Sequence, residues 1–146
     1  MKSYIILMLA LSIFATSNGN AQTAENIQKT EKSIRSNGKY ALLVMKVQHL
    51  KAAIQTGIQF KTKSKKIDVQ IVTCGELVKE ISKNPDLQNL IKEAVNQHKL
   101  KILICGLSIK QFEVDKNLLP KETPVTENGL MYTFGLQENG YKVIVL

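Results

Sequence analysis

Apolar residues along this chain fall into short runs separated by segments with helical spacing, and the two kinds alternate to the last residue. Residues 40–45, 67–72, 100–104 and 141–146 read as strands, the first a near-continuous apolar run of the kind covered on both faces. A weaker strand is predicted at Pro124 and Val125. Between strands one and two, Leu50, Ala53, Ile54, Ile58 and Phe60 mark one face of a helix over residues 47–64. Lys61, Lys63, Lys65 and Lys66 close it with positive charge at the negative end of its dipole. Gly57 inside that helix costs about 1 kcal/mol relative to Ala, so close packing is expected there. Leu77, Val78 and Ile81 predict a short helix, and Asn84-Pro85 opens the next, with Asn as N-cap and Pro in the first turn. Its stripe is Leu87, Leu90, Ile91, Ala94 and Val95, and its end is expected near His98 and Lys99. Residues 107–119 read as one or two helical turns stopped by Pro120. Leu130, Met131, Phe134 and Leu136 predict a last helix, closed by Asn139-Gly140. Five strands alternating with helices imply an α/β domain, a parallel sheet sandwiched by helices with right-handed crossovers.

The N-terminus follows a different pattern. Lys2 precedes an apolar run from Tyr4 to Ala15, and small polar residues lead to Gly19-Asn20-Ala21. This is the form of a signal peptide over residues 1–21, cleaved to leave Gln22 first. The apolar run is shorter than the ~20 residues needed to span a bilayer. The mature chain is therefore expected in the periplasm or secreted, with no membrane span after cleavage. Residues 22–38 are polar, with Ile27 and Ile34 as their only large apolar side chains, and read as a tether or a loosely docked helix. Residues 39–146 form the domain.

Lys and Arg number 20 against 12 Asp and Glu, a formal charge of +8. The positive residues are dispersed and lack interleaved aromatics, and an exported protein does not meet nucleic acid, so a solvated basic surface is the expectation. A domain of this length folds without staples, so Cys74 and Cys105 are free for chemistry.

In an open parallel sheet, ligands bind outside the carboxyl ends of the strands. Those ends carry Lys46 and His49 after strand one, Cys74, Gly75 and Glu76 after strand two, and Cys105, Gly106 and Ser108 after strand three. Cys105 is the better nucleophile. Gly106 allows a sharp turn, and a helix starting near Leu107 would place the sulfur at its N-terminus, where a thiol pKa falls. Lys46 or His49 would add to that effect. An inert buried cysteine is the competing reading. No ligand pair has zinc-site spacing, so no metal is predicted, and no phosphate loop, Ser-His-Asp set or dinucleotide fingerprint points to a cofactor.

The segments Ile71-Val-Thr-Cys-Gly-Glu-Leu-Val78 and Leu103-Ile-Cys-Gly-Leu-Ser108, with Leu118-Leu-Pro120, Asn128-Gly129-Leu130 and Leu136-Gln-Glu-Asn-Gly-Tyr141, resemble the DsrE/DsrF-like family of sulfur-relay proteins. The resemblance implies a three-layer α/β/α fold whose five-stranded parallel sheet sets strands two and three side by side. It also implies homo-oligomers, trimers or hexamers, and a sulfur donor or acceptor protein as partner. In sulfur-relay members a cysteine at the strand-three position carries sulfur as a persulfide, and Cys105 holds that position here. Cys74 departs from the family pattern. Three functions remain open: a sulfurtransferase-like carrier acting through Cys105, a thiol/disulfide redox protein using Cys74 and Cys105, and a non-catalytic oligomeric interaction module. The carrier requires a Cys105 that is both reachable and ionisable.

Overall fold

The computed structural model describes residues 18–146, which fall into two units divided after Arg35. Most of the leader segment lies outside the described residues. Within the first unit, helix α1 (Asn18–Lys32) is polar and ends on Lys29 and Lys32, so much of the expected tether is helical.

The second unit holds the sheet. Its elements are β1 (Lys39–Val44), α2 (Val47–Lys63), β2 (Asp68–Thr73), α3 (Glu76–Lys83), α4 (Pro85–Asn96), β3 (Lys101–Cys105), α5 (Gly106–Gln111), a 3-10 turn (Lys116–Leu118), β4 (Val125–Thr126), α6 (Gly129–Glu138) and β5 (Lys142–Val145). The strands are all parallel, in the order β4-β3-β2-β1-β5, so β2 and β3 are neighbours.

Local signals and packing agree at most boundaries. Asn84 caps α4, its side chain accepting from the Asp86 and Leu87 N–H groups at 3.1 Å. At its other end α4 stops at Asn96, earlier than the spacing suggests. Lys99 adopts a φ of 57°, and the Leu100 N–H turns back to the Ala94 carbonyl. β4 is only two residues long. It follows Pro124, which has no N–H for a ladder but accepts from Ile104 through its carbonyl.

Side-chain alternation assigns the helices to faces. A Cβ at Gly57 would meet Val69 and come within 2.9 Å of Leu100, so α2 packs closely on the sheet. A Cβ at Gly129 would meet Val72. Val69 and Val72 point to opposite faces because residues alternate along a strand. Thus α2 and α6 cover opposite faces, giving three layers. Leu50, Ile71, Leu77, Ile81, Ile91, Ile102 and Ile104 are fully buried. At ~1.5–3 kcal/mol for each such side chain, this burial far outweighs the cost of Gly57.

On the α6 face the cluster comprises Ala41, Leu43, Val72, Cys74, Cys105 and Leu136. Farther back along the same face, buried Gln70 accepts from the Tyr132 hydroxyl at 2.7 Å and donates to Tyr141 at 2.8 Å. Tyr141 in turn donates to Asp68, which also receives Lys101. This chain of bonds fixes α6 and the approach to β5 against the central strand, and so fixes the first turn of α6 over the cysteines.

Candidate functional site

Cys74 and Cys105 occupy equivalent places at the ends of neighbouring strands. The β2–β3 register pairs Thr73 with Ile104, which makes Cys74 and Cys105 the next pair. The Cys74 N–H donates to the Val44 carbonyl at 2.9 Å, so the ladder with β1 continues through it. Both thiols are free and both lie on the α6 face.

Three backbone segments converge on Cys105. The first is α6. Its N-cap Asn128 accepts from the Leu130 and Met131 N–H groups, and its carbonyl accepts from Tyr132. The Gly129 N–H is left over and donates to Cys105 Sγ at 3.2 Å. No side chain fits at Gly129, because a Cβ there would sit 2.6 Å from Cys74 Sγ and 3.0 Å from Cys105 Cβ. The second segment is the loop after β2. Gly75 has a φ of 66° and donates its N–H to Ser108 Oγ at 2.8 Å. The third is α5, which begins at Gly106 directly after Cys105 and carries buried Ser108. A Cβ at Gly106 would strike the Thr126 carbonyl at 2.3 Å, so the glycine lets β4 approach.

These groups set the ionisation of the two thiols in opposite directions. Burial pushes the Cys105 thiol up, but the Ser108 hydroxyl, the backbone N–H groups of Gly129 and Ser108, and the Cys74 thiol outweigh it and hold Cys105 below its ordinary value. Ser108 can play this part because its oxygen is occupied by Gly75, leaving its one proton for the sulfur. Cys74 is pushed up to about 12 by burial, then by the charge on Cys105 and the hydrogen bond to it. Of the two thiols, Cys105 is therefore the one that gives up its proton first, while Cys74 keeps its own. Environments that drive two like groups apart assign them different roles.

The donors differ from those suggested by the strand ends. Cys105 makes no side-chain cap to α5; its geometrically complete bond comes from α6. Lys46 is the exposed N-cap residue of α2 and His49 lies in that helix's first turn, partly buried, with Nδ1 buried and unpartnered. Neither is among the groups that act on Cys105, because α2 packs on the opposite face of the sheet. Gly75 and Gly106 do belong to the site, through their backbones. The strand-end pattern names Ser108 without its role and does not name Gly129. The one signal for Gly129 is an Asn-Gly helix start, where the cap serves later N–H groups and leaves the first one free.

Access is the point on which the structure departs from the requirement of a reachable thiol. Cys105 is 2% exposed and Cys74 4%. The first turn of α6 lies directly against them at Gly129. Beside it lies a groove of about 500 Å³, lined by Leu103, Val125, Thr126, Asn128, Met131 and Tyr132 among others. Leu103 is the nearest same-face neighbour of Cys105 on β3, and Thr126 is its register partner on β4. The larger cavity between α2 and α4, about 740 Å³, is lined by Val47, Ile54, Ile58 and Leu87 among others and includes neither cysteine. Among the described residues no three His, Cys, Asp or Glu side chains gather as a metal site, and no helix is long and apolar enough to cross a membrane.

Solved structures with this architecture include a protein of unknown function from Methanobacterium thermoautotrophicum, at 12% identity and a TM-score of 0.67, covering 75% of this chain and 99% of that one. The ychN protein of E. coli matches at 11% identity and a TM-score of 0.59, again over 75% of this chain and 99% of its own. At such identities the likeness is one of fold. No curated protein matches the sequence. The model of the DsrE/DsrF-like family matches residues 11–146, nearly the whole chain, and this protein belongs to that family.

Proposed function

We propose that this protein is an exported sulfur carrier that holds sulfane sulfur on Cys105 as a persulfide. The observation that carries the reading is the donor set around one sulfur atom: the Gly129 N–H at 3.2 Å, with Ser108 behind it, held in place by Gly75. A cysteine that only fills a core needs no such set. An anionic sulfur does, because an unpaired charge out of water is costly and charge-assisted bonds offset that cost.

The step is a transfer of sulfane sulfur. The Cys105 thiolate attacks the outer sulfur of a donor persulfide. A sulfur–sulfur bond forms to Cys105, the donor's own sulfur–sulfur bond breaks, and the donor leaves as a thiolate. Delivery is the reverse, with an acceptor thiolate attacking the outer sulfur and Cys105 leaving. The donors that favour the thiolate serve it both as nucleophile and as leaving group. Loading requires the Asn128–Gly129 turn to lift, and the adjoining groove is where a donor's sulfur would enter.

Self-association completes the proposal. Helix α6 is apolar on all sides: Leu136 is buried beneath it, while Leu130, Met131 and Phe134 are 51%, 71% and 65% exposed. A helix apolar all round suits burial on both faces, here between its own sheet and a second copy of the chain. A trimer or hexamer would thus cover the element that roofs the thiols.

The burial of both thiols favours a second reading, an oligomeric interaction module without chemistry. One experiment separates the two. Reduced protein is treated with inorganic polysulfide, desalted and peptide-mapped by mass. The carrier gains one sulfur atom on the Cys105 peptide, retained in Cys74→Ser whatever Cys74 does in the wild type, whereas the module gains none in either form and keeps its thiols reduced.

A further inference from the structure

A carrier that only receives and delivers sulfur needs one thiol, and this site has two in contact. We propose that Cys74 is the resolving thiol: it closes a disulfide with Cys105 and expels the carried sulfur as sulfide. The inference rests on the carrier reading and adds a second reaction to it.

The geometry is that of a pair placed to exchange. Cys74 and Cys105 follow the last register pair of β2 and β3 and lie on one face. Neighbouring strands run ~4.8 Å apart, inside the range of about 4.4–6.8 Å between Cα atoms in disulfides. The Cys74 thiol is among the groups that hold the Cys105 thiol below its ordinary value, as a donor beside that sulfur would. Gly129 closes over both, within 2.6 Å of Cys74 Sγ and 3.0 Å of Cys105 Cβ as measured from the position of an added Cβ. With both sulfurs buried, Cys74 is the thiol beside Cys105 while thiols from solution are kept away. The loop that carries Cys74 is also bound to the Cys105 loop through Gly75 and Ser108, so neither sulfur drifts from the other.

The step balances without an outside redox partner. Cys74 attacks the inner sulfur of the Cys105 persulfide, forming the Cys74–Cys105 bond. The bond to the outer sulfur breaks, and that sulfur departs with the electron pair. The persulfide reacts as its anion: the Cys74 proton passes to the outer sulfur, which leaves the Cys74 thiolate to attack, and the product is hydrosulfide. The sulfane sulfur is reduced to sulfide, and the two cysteine sulfurs are oxidised to a disulfide. Return to the dithiol state then needs thiol–disulfide exchange with an external dithiol, so a dithiol reductant must act after this reaction. The persulfide has two fates, delivery to an acceptor thiol when α6 is open and internal release when it is closed.

The test loads reduced protein with inorganic polysulfide, removes the excess, and follows free sulfide and protein mass without added thiol. The wild type is expected to release one sulfide per chain and to end two hydrogens lighter than the dithiol, with Cys74 and Cys105 linked in the peptide map. Cys74→Ser and Cys74→Ala are expected to keep the added sulfur over the same interval and to release it only when an external thiol is supplied. Wild type that loads but retains its sulfur as long as the variants do would overturn the resolving role and leave the carrier intact. Failure of every form to load Cys105 would remove both. The wild-type mass and linkage decide the matter even if the variants fold poorly.

Discussion

The Gly75 N–H donates to the Ser108 hydroxyl at 2.8 Å, and this bond joins the loop after β2 to the first turn after β3. It connects the cysteine-bearing ends of two strands and orients the one hydroxyl proton that faces Cys105. Replacing Ser108 with Ala removes the proton and leaves the Gly75 N–H unpaired. The Cys105 titration is expected to move upward, and stability to fall by about 1–3 kcal/mol. Thiolate absorbance and denaturant unfolding read the two effects. A variant with an unchanged Cys105 titration would show that Ser108 serves the loops alone.

Gly129→Ala probes the roof of the site. The added methyl would meet Cys74 Sγ at 2.6 Å and Cys105 Cβ at 3.0 Å, so the start of α6 must shift outward. A loss of about 1–3 kcal/mol is expected from overpacking. Alkylation of Cys105 is expected to become faster, because the turn that buries it no longer closes. Unchanged alkylation at lowered stability would place the strain elsewhere.

Asp68 gives the fold an acid-side dependence. Burial pushes its carboxyl up, but the Tyr141 hydroxyl and the Lys101 ammonium, with the charge of Lys61 behind them, outweigh it and hold the carboxyl below its usual value. A carboxylate whose folded pKa is depressed contributes stability above its unfolded pKa and loses it as pH falls through the folded value. The pair with Lys101 is at the surface, with side-chain exposures of 58% and 30%, so the contribution is at most about 1 kcal/mol. Asp68→Asn is expected to flatten the acid limb of the stability curve while changing neutral stability little. An acid limb identical to wild type would assign that dependence to other carboxylates.

The exposed face of α6 predicts the effect of charge there. Met131→Lys and Phe134→Glu are expected to reduce the mass found by sedimentation from a trimer or hexamer to a single chain, with little change in the fold, because both side chains are more than half exposed. A wild type that sediments as a single chain at all concentrations would remove self-association from the proposal.

Much of the fold was legible because each signal acted within a few residues. Asn84-Pro85 starts α4 by local capping, and the apolar run at residues 40–45 reads as a strand because both its faces are covered. The strand-end rule likewise found Cys74, Cys105, Gly75, Gly106 and the position of Ser108. What it missed depends on distant parts of the chain meeting. The Gly129 N–H reaches Cys105 from 24 residues away, around the edge of the sheet and back along its face. The contribution of Ser108 depends on a bond from Gly75, 33 residues earlier. Lys46 and His49 lie at a strand end as expected, yet α2 carries the chain to the other face. Apolar spacing in α6 marked a helix and did not distinguish buried Leu136 from exposed Leu130, Met131 and Phe134, because that helix has no polar side.

The central claim is that one sulfur in a nearly dry pocket ionises more readily than an ordinary cysteine, beside another that keeps its proton. A thiolate absorbance titration of the reduced wild type, Cys74→Ser and Cys105→Ser tests this without requiring a reagent to enter the pocket. The expected result is one ionisation below the ordinary cysteine range in the wild type, preserved in Cys74→Ser and absent from Cys105→Ser, with the second thiol ionising only near pH 12. Two thiols that both ionise at or above the ordinary range would contradict it, and Cys105 would then be a core residue with no charge to carry.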